Sequence, residues 1–230
     1  MFAIEATNIS HRLAGEWILQ ETDFRLTANE CIVITGANGA GKTTLLRLLS
    51  GSMRPTSGNV TWYGHSDARE IQVRRLIGYV AHEVQLYPQL TVAENLLFAA
   101  RMCGIADPRR RALQTLDVSG LAASADEMVA KTSRGIRQRL AIARATIHEP
   151  TIVLLDEPFT SLDQEGCQWL TESIRKWRRA GRAICVVSHD LTLTRRLATH
   201  VVRVNDRKVC DVTPASVDNF APNHFVADAA

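Results

Sequence analysis

The chain has 230 residues, 46% of them hydrophobic, which suffices for one domain with a sizeable core, or a domain carrying a subdomain, and excludes two independent domains. Lys and Arg number 27 against 24 Asp and Glu, a net charge of +3, and the basic clusters Arg109–Arg111 and Arg175–Arg179 read as solvated helix faces, so no nucleic-acid partner is expected. The five cysteines are scattered without a C-x-x-C pair and read as reduced core residues of a cytosolic protein, the start Met1–Glu5 has no secretory pattern, and no run reaches the roughly 18 apolar residues of a membrane span, so any membrane role must come through a partner.

The opening of the chain is β-rich. Phe24 and Leu26 alternate with Asp23, Arg25 and Thr27, and Asn59–Tyr63 follows the turn-rich Pro55–Gly58, which predicts a small antiparallel sheet. Between these segments Cys31–Thr35 reads as a buried strand, and Thr44–Leu49 starts a helix that Gly51 can end. Strand and helix bracket Gly36-Ala37-Asn38-Gly39-Ala40-Gly41-Lys42-Thr43, followed by Thr44, which has the G-x-x-x-x-G-K-[ST] spacing of a phosphate-binding loop. Its glycines let backbone N–H groups curl around phosphate oxygens, Lys42 adds a mobile positive charge, and the Thr43 hydroxyl can ligand Mg²⁺. The helix start then faces the phosphates, where unpaired N–H groups favour anions. The stretch points to a nucleoside triphosphate.

Ile77–Val80 is a further strand. Thr91-Val92-Ala93-Glu94 is a capping box that starts a helix running to Cys103 and stopped near Gly104. Asp107-Pro108 starts another, and residues 82–130 read as a helical insertion. In Thr151–Glu157 four apolar residues form a buried strand that delivers two carboxylates to its end. Asp156 is placed to hold Mg²⁺ and Glu157 to act as general base on the attacking water. Ala183–Val187 is another buried strand, and His189 leaves its carboxyl end, where imidazole can hydrogen-bond the terminal phosphate and the attacking water. Strands alternating with helices predict an α/β core with a mainly parallel sheet. Pro214–Ala230 is weakly patterned and reads as a loosely packed tail.

Together these motifs resemble the ATP-binding cassette ATPases, from about Ile4 to Val212. In their order stand Gly36 to Thr44, Asp156-Glu157, Ser161-Leu162-Asp163 and His189. The resemblance implies a P-loop NTPase fold over residues 1–213, with a mainly parallel core sheet, an N-terminal antiparallel β-subdomain and the helical insertion. It implies ATP and Mg²⁺ as ligands, a homodimer of nucleotide-binding domains, and separate membrane-spanning permease subunits that hold the chain at the cytoplasmic side of the membrane. Each ATP would lie between one chain's phosphate loop and the other's signature helix, with Asp163 beside it.

The chain departs from the family pattern in three places. The signature reads Thr132-Ser133-Arg134-Gly135-Ile136 against the usual Leu-Ser-Gly-Gly-Gln, so Ser133 and Gly135 match and can meet a γ-phosphate, while the hydrolysis rate is put in doubt. At the position of the aromatic that stacks on adenine stands Leu13, with Trp17 as an out-of-register candidate, which implies loose base selectivity. Where the family has a Gln contacting Mg²⁺ and water stands His82, whose imidazole prefers softer metals. His82, Leu90–Leu96 and the Ser133-Arg134-Gly135 signature with Gln138-Arg139 resemble the cytochrome c maturation branch and its haem-exporter subunit. Another exporter ATPase, for drugs or lipids, and a non-transport cassette are the alternatives. Leu86-Tyr87-Pro88 reads as a docking segment for the membrane subunits or as an ordinary turn.

Overall fold

Two sheets organise the described part of the chain, residues 1–190, 194 and 196–215 of this computed structural model. Strands β1 (Ile4–Leu13), β2 (Glu16–Leu26), β3 (Cys31–Thr35), β4 (Ser57–Trp62), β5 (Ile77–Val80), β6 (Ile152–Asp156), β7 (Ala183–Val187), β8 (His200–Asn205) and β9 (Lys208–Pro214) divide between them. The antiparallel sheet runs β2-β1-β4 and the larger one β5-β6-β7-β3-β8-β9, parallel throughout except for β9. Among the described residues six α-helices complete the framework: α1 (Lys42–Leu49), α2 (Ile71–Leu76), α3 (Val92–Met102), α4 (Pro108–Val118), α5 (Arg134–Thr146) and α6 (Gln164–Arg179). Of the expected tail Pro214–Ala230, all but the first two residues lie outside the described residues.

The central strands are continuous apolar runs because both faces of the sheet are covered. Ile32 and Ile34 of β3, Ile152 and Leu154 of β6, and Ala183, Cys185 and Val187 of β7 join one core with α1 and the small sheet. Their neighbours Cys31, Val33, Val153, Leu155, Ile184 and Val186 point the other way, into a second core shared with α5 and α6. In the small sheet the period of two shows as buried Phe24 and Leu26 flanking exposed Arg25. A third core, with Leu96, Leu116 and Leu140, joins α3, α4 and α5, so the helical insertion is tied to the rest through α5.

Caps fix where the helices begin. Glu94 N donates to Thr91 Oγ1 at 3.1 Å and Thr91 N to Glu94 Oε2 at 2.8 Å, the reciprocal pair expected at the start of α3. Asp107 accepts from Arg110 N ahead of Pro108 in α4, and Ser133 Oγ accepts from Ile136 N to start α5. Residues 82–91 carry no helix, so the helices of the insertion begin only at Val92. The cysteine expectation needs correction: Cys31 and Cys185 are buried core residues, but Cys103 and Cys167 are half-buried and Cys210 is exposed on β9, the last strand in the order of the large sheet.

Candidate nucleotide-binding and hydrolysis site

Three adjacent strands deliver the site. β3 lies beside β7 and β7 beside β6, with Ile34 and Asp156 both level with Val187, so the phosphate loop, the two acids and His189 leave one sheet edge at the same height. This is the carboxyl edge, where open α/β sheets take their ligands.

The loop's shape depends on two glycines. Gly36 has φ +149°, and a Cβ there would come within 2.1 Å of the Val204 carbonyl oxygen. Gly41 has φ +104°, and its Cβ would come within 2.7 Å of the Ile18 carbonyl oxygen. No side chain caps α1, which leaves its first amides to an anion. Lys42 is buried and its Nζ donates to Gly36 O at 2.9 Å and Ala37 O at 2.8 Å. Burial lowers its pKa, and the carboxylates of Glu157 and Asp156 pull it back. Ala40 packs against the core beneath the loop.

Asp156 is 1% exposed and neither carboxylate oxygen has a hydrogen-bond partner among the described residues. Two orphaned buried oxygens are costly unless a cation or strong donor meets them. Glu157 follows with φ +49°, its amide donating to Val187 O at 3.0 Å. His189 Nε2 lies 2.9 Å from Glu157 Oε1, an electrostatic pair rather than an aligned hydrogen bond, and His189 N donates to Oε2 at 3.4 Å. Burial raises the Glu157 pKa above its ordinary 4.5, against the smaller pull of His189.

One cleft of about 410 Å³ gathers Asn38, Gly39, Gly41, Lys42, Thr43, Thr44, Asp156, Glu157 and His189, with His82 and Leu13. Gly36 and Ala37 act behind it through the carbonyls that hold Lys42. Ser133, Gly135 and Asp163 do not line it. Asp163 caps α6, accepting from Gly166 N at 2.8 Å, and stands 3.7 Å from Arg139. Gly135 packs against the Ser161 carbonyl, and Gln138 Nε2 donates to Pro158 O at 3.3 Å. Trp17 is corrected as a base contact: it is absent from the lining, and its ring lies under the Arg12 guanidinium at 5.3 Å. The pairing steps from His11↔Leu19 to Arg12↔Trp17, so Ile18 is an extra residue on β2, and Trp17 faces with Arg12, away from the cleft that Ile18 lines. His11, Ile18, Arg47 and Met53 line the cleft without having been singled out by any motif.

The residues present fit Mg²⁺: Thr43 offers a hydroxyl and Asp156 two unpartnered oxygens, the hard donor set this ion takes alongside phosphates and water. His82, exposed and offering only nitrogen, suits that ion less well.

Fold and cleft define a phosphate-loop nucleoside-triphosphate-binding protein. A sequence model described as ABC transporter matches residues 19–160, and the chain belongs to that family. The Nod factor export ATP-binding protein I of Burkholderia orbicola is 31% identical over 215 residues, 92% of this chain and 71% of its own length. The linearmycin resistance ATP-binding protein of Bacillus subtilis is 31% identical over 189 residues, 81% of this chain and 61% of its own. A sulfate/thiosulfate import ATP-binding protein of Brucella melitensis is 34% identical over 221 residues, 90% and 60%. Among solved structures, a dimeric ATP-binding cassette in a post-hydrolysis state with ADP and Pi superposes with a TM-score of 0.86 at 25% identity, covering 93% of this chain and 99% of that one. The chain is thus an ATP-binding subunit of an ABC transporter, an ATPase that works with ATP and Mg²⁺.

Proposed function

We propose that this chain is the ATP-hydrolysing subunit of a membrane exporter, acting as a pair of copies on the cytoplasmic side of separate membrane-spanning subunits. Glu157 is the general base, poised beside His189 at the mouth of a cleft that holds Lys42 and Asp156. That juxtaposition carries the reading. A raised pKa makes Glu157 a better proton acceptor near neutrality than an ordinary carboxylate, and its backbone anchor on Val187 fixes where the attacking water is held. His189 orients the base and meets the terminal phosphate, Lys42 neutralises phosphate charge, and the α1 amides cradle the rest. Thr43 and Asp156 would hold Mg²⁺, with His82 lining the same cleft, and the ion would supply positive charge against that of the phosphates.

The second half of each site is the α5 start, Ser133 and Gly135, with Asp163 near it. Because these residues lie outside the cleft of their own chain, a paired copy is the natural source, and the dimeric cassette among the structural relatives supports that arrangement. No helix among the described residues is long and apolar enough to cross a membrane, in keeping with separate membrane subunits. Tyr87 supplies a docking surface, being 44% exposed while its backbone is pinned from both sides by Asn95.

Export finds support in the Nod factor and linearmycin-resistance relatives. Haem export rests on His82, Leu90–Leu96 and the Ser133-Arg134-Gly135 signature with Gln138-Arg139, and the relatives named above lend it no support. The test is Glu157→Gln. ATP binding is expected to persist while turnover falls about a thousandfold; near-normal turnover would refute the assignment of the base. Copurification with hydrophobic subunits, and loss of covalently attached haem from c-type cytochromes in cells carrying the variant, separate haem from other cargo.

A further inference from the structure

We propose that His11 selects the nucleotide base, its imidazole Nε2 accepting a hydrogen bond from the 6-amino group of adenine and so disfavouring 6-oxo purines. The inference rests on ATP occupying the cleft as proposed above. It replaces the expected loose selectivity with a polar one.

Among the described residues no Phe, Tyr or Trp lines the cleft. Leu13 stands 61% exposed at its rim, and Trp17 is engaged by Arg12 away from it. Among the described residues recognition by a stacked aromatic is therefore not on offer, and a polar group of the lining is the one left to meet the base. His11, Leu13 and Ile18 form the wall of the cleft that comes from β1 and β2. This wall abuts the phosphate loop, because the Ile18 carbonyl oxygen is the atom that a Cβ on Gly41 would strike. A nucleotide with its phosphates in the loop has the β1–β2 wall as the nearest protein surface on that side. The other two imidazoles of the cleft, His82 and His189, follow β5 and β7 at the sheet edge that carries Asp156 and Glu157.

The state of the His11 ring follows from its partner. Nδ1 lies 3.1 Å from the carbonyl oxygen of Arg54, which can only accept, so Nδ1 carries the proton. In the neutral ring Nε2 is then an acceptor and is the nitrogen left for a ligand. Adenine presents a donor at position 6, whereas inosine and guanosine nucleotides present a carbonyl oxygen, which would face another lone pair. His11 and Leu13, two residues apart on β1, share the cleft face, while Arg12 between them pairs with Trp17.

The test is equilibrium binding of ATP and of inosine triphosphate without Mg²⁺, so that hydrolysis does not intervene. The unaltered chain is expected to bind ATP roughly three- to tenfold more tightly, the worth of one net hydrogen bond. His11→Ala should remove the preference by weakening ATP alone. His11→Lys, which can only donate, should reverse it. Equal affinities in the unaltered chain, or a preference that survives His11→Ala in a variant that melts normally, would overturn the role of His11 while leaving the cleft's function intact. Failure to bind either nucleotide would instead bring down the reading of the cleft, and this inference with it.

Discussion

Glu157 combines a left-handed backbone, an amide anchored to Val187 and a carboxyl held mostly out of water. A non-glycine residue at positive φ costs of order 1–3 kcal/mol, which surrounding structure must offset. Because burial raises its folded pKa above 4.5, the protonated form is the one the fold favours. Its contribution to stability is fully present below pH 4.5 and is lost as pH rises through the higher folded value. Gln at this position mimics the protonated form. Glu157→Gln is therefore expected to be more stable than the unaltered chain at pH 7 and indistinguishable from it near pH 4, by urea denaturation at both values. A variant less stable at pH 7 would mean that attraction to His189, not burial, governs the site. Lys42, Asp156, Glu157 and His189 were legible in the sequence because each sits at a fixed offset from a buried apolar run. His11 was not, since it belongs to no motif and only the neighbouring loop makes its face of β1 a cleft wall, and Trp17 misled because the extra residue Ile18 turns it to the other face of β2.

At the level of elements, side chains that cap were the readable signals. Thr91 and Asp107 marked the starts of α3 and α4 correctly, and Ser133 caps α5 in the same way. Helix α2 went unpredicted: it is six residues long and its N-cap residue, Glu70, makes no capping hydrogen bond. Asp163 carries the signature of a cap as well, and the structure uses its carboxylate that way at α6. Asn95 shows how an element presents a surface. It is fully buried on α3, its side chain bonding both backbone groups of Tyr87 and the Thr91 carbonyl. Asn95→Ala strands those groups at about 1–3 kcal/mol, and a melting temperature lowered by roughly 2–12 °C is expected for a chain of this size. Should the variant melt unchanged, the Leu86–Pro88 segment is not held from α3.

For the whole molecule, the decisive property is that the cleft and the α5 start face different surroundings. If each complete site draws on two copies, Lys42→Ala and Ser133→Ala chains, each inactive alone, should regain activity when mixed. Random pairing leaves roughly a quarter of the sites intact, so about that share of the unaltered chain's ATPase rate is expected. Ser133→Ala also removes a cap worth about 1 kcal/mol, and a matched melting curve controls for it. Absence of any recovery, with both chains folded, would show that one copy suffices. The α/β architecture and most strands of both sheets were legible from alternation and buried runs, though β8 was not read as a strand. The pairing of β9 was not, for its residues mix polar and apolar types as an edge strand does.

The two carbonyls that crowd Gly36 and Gly41 belong to different layers, Val204 to the large sheet and Ile18 to the small one. The loop is thereby wedged at the joint where the layers meet, touching each through bare backbone. A methyl group at either position would prise this joint apart rather than merely block a ligand, and whatever stiffens the loop stiffens the angle between the layers.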